Sequence, residues 1–411
     1  MTEMPAERRP ASSWRRIPPT VLALGFVSLF MDVSSEAMNS LLPLFLVGTL
    51  GASTVTVGLI EGVAEATASI TKVFSGLLSD RIRKRKLLTA LGYGLSALTK
   101  PMFPLATSAG TVLAARFVDR IGKGIRDAPR DALIADITPP GARGTAYGLR
   151  QALDSAGAFA GPLLAIALMI LYANDFRAVF WWSVLPAVIA VLLIVVAVRE
   201  PVASGPGEHK APPIRRIDLM RMNRGYWIAI GIGVVFTMAR FSEAFLILKG
   251  QQAGLPLAQV PLVWVVMNLV YTLLATPAGA WSDRIGRRTV LVIGLAVLVV
   301  ADMVLAFAPG LLGLFAGVAL WGAYMGLSQG LLSALVADTA PEELRGTAFG
   351  VFNLVSGGTL LIASSLAGIL WRWFGPAATF SAGGLFAAVA AIALIATWQV
   401  WILLPPSGSM T

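Results

Sequence analysis

Apolar residues fill this chain in runs of about 20, and a helix of that length crosses roughly 30 Å of hydrocarbon. Reading the runs from end to end predicts twelve helical spans. They lie at approximately 20–47, 54–79, 87–106, 111–137, 144–171, 177–198, 225–248, 257–281, 288–307, 310–337, 346–371 and 376–402. One polar break is long: VREPVASGPGEHKAPPIRRIDLMRMNRG is rich in Pro, Gly and basic residues and reads as a linker. The pattern divides the chain into a tail (1–19), a six-helix half (20–198), a linker (199–224), a second six-helix half (225–402) and a short tail (403–411). The predicted fold class is an all-α integral membrane protein, twelve transmembrane helices in two pseudo-symmetric halves.

The halves repeat. Ser79-Asp80-Arg81-Ile82 returns as Ser282-Asp283-Arg284-Ile285, and ALIADITPPGARGTAYG (132–148) returns as ALVADTAPEELRGTAFG (334–350). MDVSSEA (31–37) in the first span returns as MARFSEA (238–244) in the seventh. Each half has an even number of spans, so the repeats run in the same sense. They imply a pseudo-two-fold axis along the membrane normal and a substrate site between the halves near the midplane.

Composition narrows the class. Only 13% of the 411 residues are charged and 56% are hydrophobic, with a mean hydropathy of +0.77; a soluble domain carries about 25% charge. The net charge of +10 sits mainly in short loops on one side. That distribution is a membrane-orientation signal and not a nucleic-acid face. Of the 32 Lys and Arg residues, only Arg177, Lys249 and Arg372 fall in the opposite loops, which predicts both termini on the cytoplasmic side. The expected location is a bacterial-type inner membrane, with the lipid bilayer as partner and the chain working as a monomer. The basic N-terminal tail lacks a cleavage site and reads as cytoplasmic. With no Cys and one His, cysteine and histidine metal sites are excluded.

The fourth span breaks the apolar rule. Arg116, Asp119, Arg120, Lys123, Arg126, Asp127, Arg130 and Asp131 fall within an arc of about 140° on a continuous helix. A lipid-facing charge at the bilayer centre costs on the order of 3 kcal/mol or more, so this face must look into a bundle or a wet cavity. It is either a self-paired salt-bridge ladder or part of a binding site. Asp32 and Glu36 lie one turn apart near the middle of the first span. Glu243 is the repeat counterpart of Glu36, and Arg240 lies one turn before it. The expected cavity is framed by Asp32, Glu36, Arg116, Lys123, Arg240 and Glu243. Asp32 and Glu36 either exchange protons or form a fixed pair with Arg116. Glu61 and Glu65 in the second span, and Arg150 with Asp154 in the fifth, read as helix–helix ion pairs first. Asp302 stands alone in the ninth span.

Over essentially its whole length the sequence resembles the major facilitator superfamily. The loop after the second span, Gly76-Leu77-Leu78-Ser79-Asp80-Arg81-Ile82-Arg83-Lys84, follows that family's signature apart from Arg83 in place of Gly. Gly279-Ala280-Trp281-Ser282-Asp283-Arg284-Ile285-Gly286-Arg287-Arg288 is its second copy. The resemblance implies that these loops, Arg81 and Arg284 included, gate the inner side, with Asp80 paired to Arg143 and Asp283 to Arg345. Gly148, Gly157 and Gly161-Pro162 in the fifth span resemble the motif of the antiporter branch, although Ala165-Ile166 replace its final glycines. Arg116 matches the fourth-span arginine implicated in proton coupling in the family.

Together these readings lead to a proton-coupled secondary transporter working by alternating access. The leading expectation is an efflux antiporter for a small cationic or amphipathic compound. It needs no cofactor beyond a proton gradient, and its partners are protons and a small-molecule substrate. The alternative is a transporter of an organic anion held by the basic fourth span. A membrane-embedded enzyme is disfavoured, because GKG at 122–124 lacks a P-loop context and no catalytic His or Cys set exists. A non-transporting sensor is the remaining class.

Overall fold

In a computed structural model, residues 17–82, 84–199, 222–341 and 344–397 are described. Most of the expected linker and both tails therefore lie outside the described residues. Within them the chain is helical, with no strand. The first span is Pro19–Asn39, extended by Leu42–Leu44 and a π turn at Phe45–Thr49. The second to sixth are Thr54–Ile82, Arg85–Thr99, Ala109–Ile137, Arg143–Leu171 and Phe176–Ala197. The seventh is Arg224–Ala239 followed by Ala244–Gln252, and the eighth to tenth are Leu262–Ile285, Arg287–Phe307 and Gly310–Thr339. The last two lie in Arg345–Ala396, divided at Gly375, whose φ of 82° turns the corner into Pro376. Only glycine adopts that backbone without strain.

The ends of the helices follow from short polar side chains. Ser108 Oγ accepts from Thr111 N at 3.3 Å, Asp175 from Arg177 N at 2.9 Å, and Asn223 from Tyr226 N at 2.7 Å. Each satisfies a backbone donor that the first helical turn leaves free. Eight segments among the described residues are long and apolar enough by composition to cross a membrane. The second and fourth spans are not among them, because polar and charged residues dilute them; of the charges, Glu61, Arg116, Asp119, Arg120, Arg126 and Arg130 are buried.

One expectation is corrected here. The seventh span is not continuous through 225–248: residues 240–243 leave the helix. No Gly or Pro marks this break. Ser242 N instead donates to Ser364 Oγ of the eleventh span at 3.2 Å, and Ala244 N to Ser242 Oγ at 3.2 Å. Side-chain acceptors thus replace the helical carbonyls, which is how non-helical backbone is tolerated at membrane depth.

In the N-terminal half the first span packs on the fifth and sixth, and the fourth on the second and third. The C-terminal half repeats the scheme, the eighth and ninth spans packing on the tenth and the seventh on the eleventh. The halves meet chiefly through the second and eleventh spans. That seam is glycine-tight: a Cβ on Gly368 would stand 2.5 Å from Thr54 O, one on Gly62 2.9 Å from Leu361 Cα, and one on Gly357 2.9 Å from Ser69 Cβ. The Gly58 face meets Ser364 O in the same way. These approaches run from Thr54 to Ser69, the end of the bundle away from the basic loops. Short helix Ala244–Gln252 meets Leu42–Leu44 at the same end.

Gly368→Ala is expected to lower the thermal unfolding midpoint in detergent, since backbone must move to admit the methyl, at a cost of about 1–3 kcal/mol. Gly358→Ala, where nothing lies within 4 Å, should leave it unchanged or raise it. Equal midpoints for the two variants would refute this account of the seam.

Candidate functional site

Between the halves lies a cavity of about 240 Å³. The first, second and fourth spans supply Glu36, Asn39, Glu61, Glu65, Arg116, Arg120 and Lys123. The broken segment of the seventh span supplies Arg240, Phe241, Ser242 and Glu243, all of it facing the same space. Trp264, Met267, Met325 and Leu360 form an apolar wall, and Asn268 adds an amide.

The charges in this space fall into two groups. Arg116 is 2% exposed and donates to Glu61 Oε2 at 2.5 Å and to Asn39 Oδ1 at 2.6 Å. Arg120 pairs with Glu65 at 3.3 Å. Those four are held partners. Glu36, Glu243, Lys123 and Arg240, by contrast, form no ion pair within 4.0 Å among the described residues. The cavity thus presents two carboxylates and two cations that are not neutralised by a fixed neighbour.

Deeper in the N-terminal half the fourth-span charges build a ladder. Lys100, 2% exposed, meets Asp119 at 3.2 Å and Ser35 Oγ at 3.0 Å. Arg126 donates to Ser96 Oγ at 2.9 Å and lies 4.4 Å from the centre of the Tyr93 ring. Arg130 donates to Ser28, Tyr93 and Asp131, and Arg150 binds Asp131 at 3.0 Å and Asp154 at 2.5 Å. The arginines and lysines of this face therefore divide by depth: Arg126 and Arg130 are scaffold, while Lys123 reaches the cavity.

The fifth-span glycines bear directly on the acids. A Cβ on Gly161 would stand 2.8 Å from Glu36 Cβ and 2.9 Å from Ala37 N; one on Gly157 would stand 2.7 Å from Leu29 O and 2.9 Å from Asp32 Cβ. Gly157, Gly161 and Pro162 are buried. Their missing side chains let the first span seat against the fifth at Asp32 and Glu36, as small residues do between membrane helices. Gly148 has nothing within 4 Å and plays no such part.

A family model, Major Facilitator Superfamily, matches residues 22–270 and 244–410. The chain belongs to the major facilitator superfamily. It is 31% identical over 387 residues to an uncharacterized MFS-type transporter of Methanocaldococcus jannaschii, covering 93% of this chain and 95% of that one. It is 26% identical to the multidrug resistance protein MdtH of Proteus mirabilis, over 81% of this chain and 80% of that one. Among solved structures, that of the nucleoside transporter NupG superposes with a TM-score of 0.79 at 14% identity, covering 92% of this chain and all of that one. The protein is thus a multi-pass membrane transporter with the twelve-span fold, and not an enzyme.

Within the MFS frame, the site departs from the sequence expectation in three places. Asp32 does not line the cavity. It lies one helical turn from Glu36, about 6 Å further along the axis, against Gly157. Arg116 does line it, but its partners are Glu61 and Asn39 rather than the first-span carboxylates. The broken segment adds Phe241 and Ser242, for which no sequence signal existed. At the basic end, Arg81, Arg143, Asp283, Arg284 and Arg345 are exposed, and the side chain of Asp80 lies outside the described residues. No ion pair joining Asp283 to Arg345 or involving Arg143 is found among the described residues.

Removing one member of the Arg116–Glu61 pair is expected to cost about 3–5 kcal/mol, because it strands a buried charge. Arg116→Met with Glu61→Leu together should recover most of that loss. Thermal unfolding of the single and double variants measures it; a double variant as unstable as either single one would sink the pairing. Gly161→Ala should lower stability by about 1–3 kcal/mol, whereas Gly148→Ala should not, by the same measurement.

Proposed function

We propose that this transporter is a proton-coupled efflux antiporter for a small amphipathic organic cation, working by alternating access as a monomer and driven by the proton gradient. The observation that carries the reading is the contrast inside one cavity. Glu61 and Glu65 are each held by an arginine, while Glu36 and Glu243 take part in no ion pair among the described residues. A carboxylate without a fixed partner can hold either a proton or the positive centre of a substrate, and not both at once. Trp264, Phe241, Met267, Met325 and Leu360 offer an apolar and aromatic surface to the rest of an amphipathic molecule, and aromatic faces attract organic cations. The relative named a multidrug resistance protein agrees with such a substrate class.

The cycle follows from differential binding. Substrate or proton at Glu36 shifts the balance between two arrangements of the halves by as much as it prefers one over the other. The tight packing of the glycine seam at the end away from the basic loops supports a state closed at that end. With the basic loops cytoplasmic, this is the inward-facing state. In the alternate state the seam parts and the basic end closes, bringing Asp80 with Arg81 toward Arg143, and Asp283 with Arg284 toward Arg345, as latches. Asp32, one turn below Glu36 and beside the Arg126 and Asp154 network, relays the proton.

A second reading has its own observation: Lys123 and Arg240 are also without an ion-pair partner among the described residues, which suits an organic anion. Purified protein in liposomes with a trapped pH dye separates the two. A proton flux evoked by lipophilic cations, lost by at least tenfold in Glu36→Gln, is the expected result. Flux evoked only by organic anions and lost in Lys123→Ala would replace the cation reading, and pH-driven transport intact in Glu36→Gln would remove Glu36 from the mechanism.

A further inference from the structure

Asp302 is fully buried in the ninth span, and neither carboxyl oxygen has a hydrogen-bond partner. It is enclosed by tight, apolar packing. A Cβ on Gly383 of the twelfth span would stand 2.8 Å from Asp302 Oδ2, and one on Gly384 3.4 Å from Asp302 Cβ. The same point on Gly383 is 2.8 Å from Phe241 Cε1. The Phe241 ring is therefore an immediate neighbour of the carboxyl, and its residue also lines the transport cavity.

Phe241 is the hub of an aromatic cluster. Its ring centroid is 5.3 Å from that of Trp321 and 5.7 Å from those of Phe245 and Phe380, and Trp321 lies 6.2 Å from Tyr324. Trp321 Nε1 and the Tyr324 hydroxyl are themselves buried without partners. Two of these groups, Asp302 and the Trp321 indole, thus stand against the Phe241 ring, which also borders the cavity. That ring sits on the non-helical segment 240–243, held by the Ser242–Ser364 bond and not by a continuous helix.

A lone carboxylate charge in such a place is prohibitively costly, and the group neutralises by taking a proton. Among the described residues no ion pair or hydrogen bond engages the Asp302 carboxyl. The tenth span faces Asp302 with Tyr324, and the broken segment of the seventh brings Arg240 and Glu243, which face the cavity. The eighth span has Tyr271 beside Gly326, with Asp283 and Arg284 at its far end, and the twelfth brings Gly383 and Gly384 against Asp302. We propose that Asp302 is a second proton-binding site, lodged in the C-terminal half and reached from the cavity when Phe241 moves aside. Any role for it in coupled transport rests on the proton-driven reading above, but its occupancy by a proton does not.

The test therefore needs no substrate. Infrared difference spectra of the full chain in lipid vesicles, between acidic and alkaline buffer, report the carbonyl stretch of protonated carboxyls. A band present in the wild type and in Glu36→Gln but lost in Asp302→Asn is the expected result. Phe241→Ala should shift that band and speed its decay on a jump to alkaline pH at least tenfold. An unchanged difference spectrum in a folded Asp302→Asn variant would overturn the proposal, as would a band that follows sodium concentration and ignores pH. If Asp302→Asn does not fold, labelling of the wild type with a lipophilic carbodiimide, which attacks protonated buried carboxyls, takes its place. Asp302 adducts should form in acid and fade in alkali, faster in Phe241→Ala. Adducts absent at every pH in both proteins, or independent of pH, count against it.

Discussion

Charge inside a hydrocarbon slab must be paired, hydrated or neutralised, and this constraint organises the N-terminal half. The fourth span carries too many ionic side chains to face lipid, so it is driven to the interior, and its neighbours are selected by what they can offer those charges. Glu61 and Asn39 clamp Arg116, Glu65 meets Arg120, Asp119 meets Lys100, and Ser28, Tyr93 and Ser96 take up Arg126 and Arg130. Breaking a buried pair is far more damaging than the pair is stabilising, so the ladder acts as a specification of how the helices seat. What escapes the ladder, Lys123 and Glu36, is left facing the space between the halves.

The C-terminal half answers the same constraint differently. It has few ionic groups, and its core is aromatic around Phe241, Trp321, Tyr324 and Phe380. Its contribution to the cavity comes from breaking a helix. Residues 240–243 leave regular structure where Ser364 and Ser242 replace backbone partners, and so present Arg240, Phe241, Ser242 and Glu243 to one space. The two halves share a fold and a repeated sequence yet differ in make-up, one a charged frame and the other an aromatic wall with a broken helix.

Glycine links these parts. The fifth span seats on the first through Gly157 and Gly161, and the second on the eleventh through Gly58, Gly62, Gly357 and Gly368. The first set seats the first span against the fifth at Asp32 and Glu36; the second packs the two halves together. Both depend on backbone approaching backbone, which lipid tails do nothing to drive and which any side chain would prevent. The antiporter-like glycine pattern was visible in the sequence at Gly157 and Gly161, but that its neighbours there are Asp32 and Glu36 was not. Gly148 matched the pattern, but a Cβ there would meet nothing within 4 Å.

The sequence by itself determined the class, the number of spans and the two-fold repeat, because apolar runs and repeated loop motifs are local properties that membrane thickness and chain length make decisive. It also singled out Glu36, Lys123, Arg240 and Glu243, since an ionic residue in an apolar run is conspicuous. Only the tertiary structure decided how those charges are shared. That Arg116 belongs to Glu61, that Asp32 falls outside the cavity, and that Asp302 is left alone beside Phe241 are facts about distances between helices far apart in the chain. The break at 240–243 was equally hidden, because one of the acceptors that satisfies its backbone is Ser364, more than a hundred residues away.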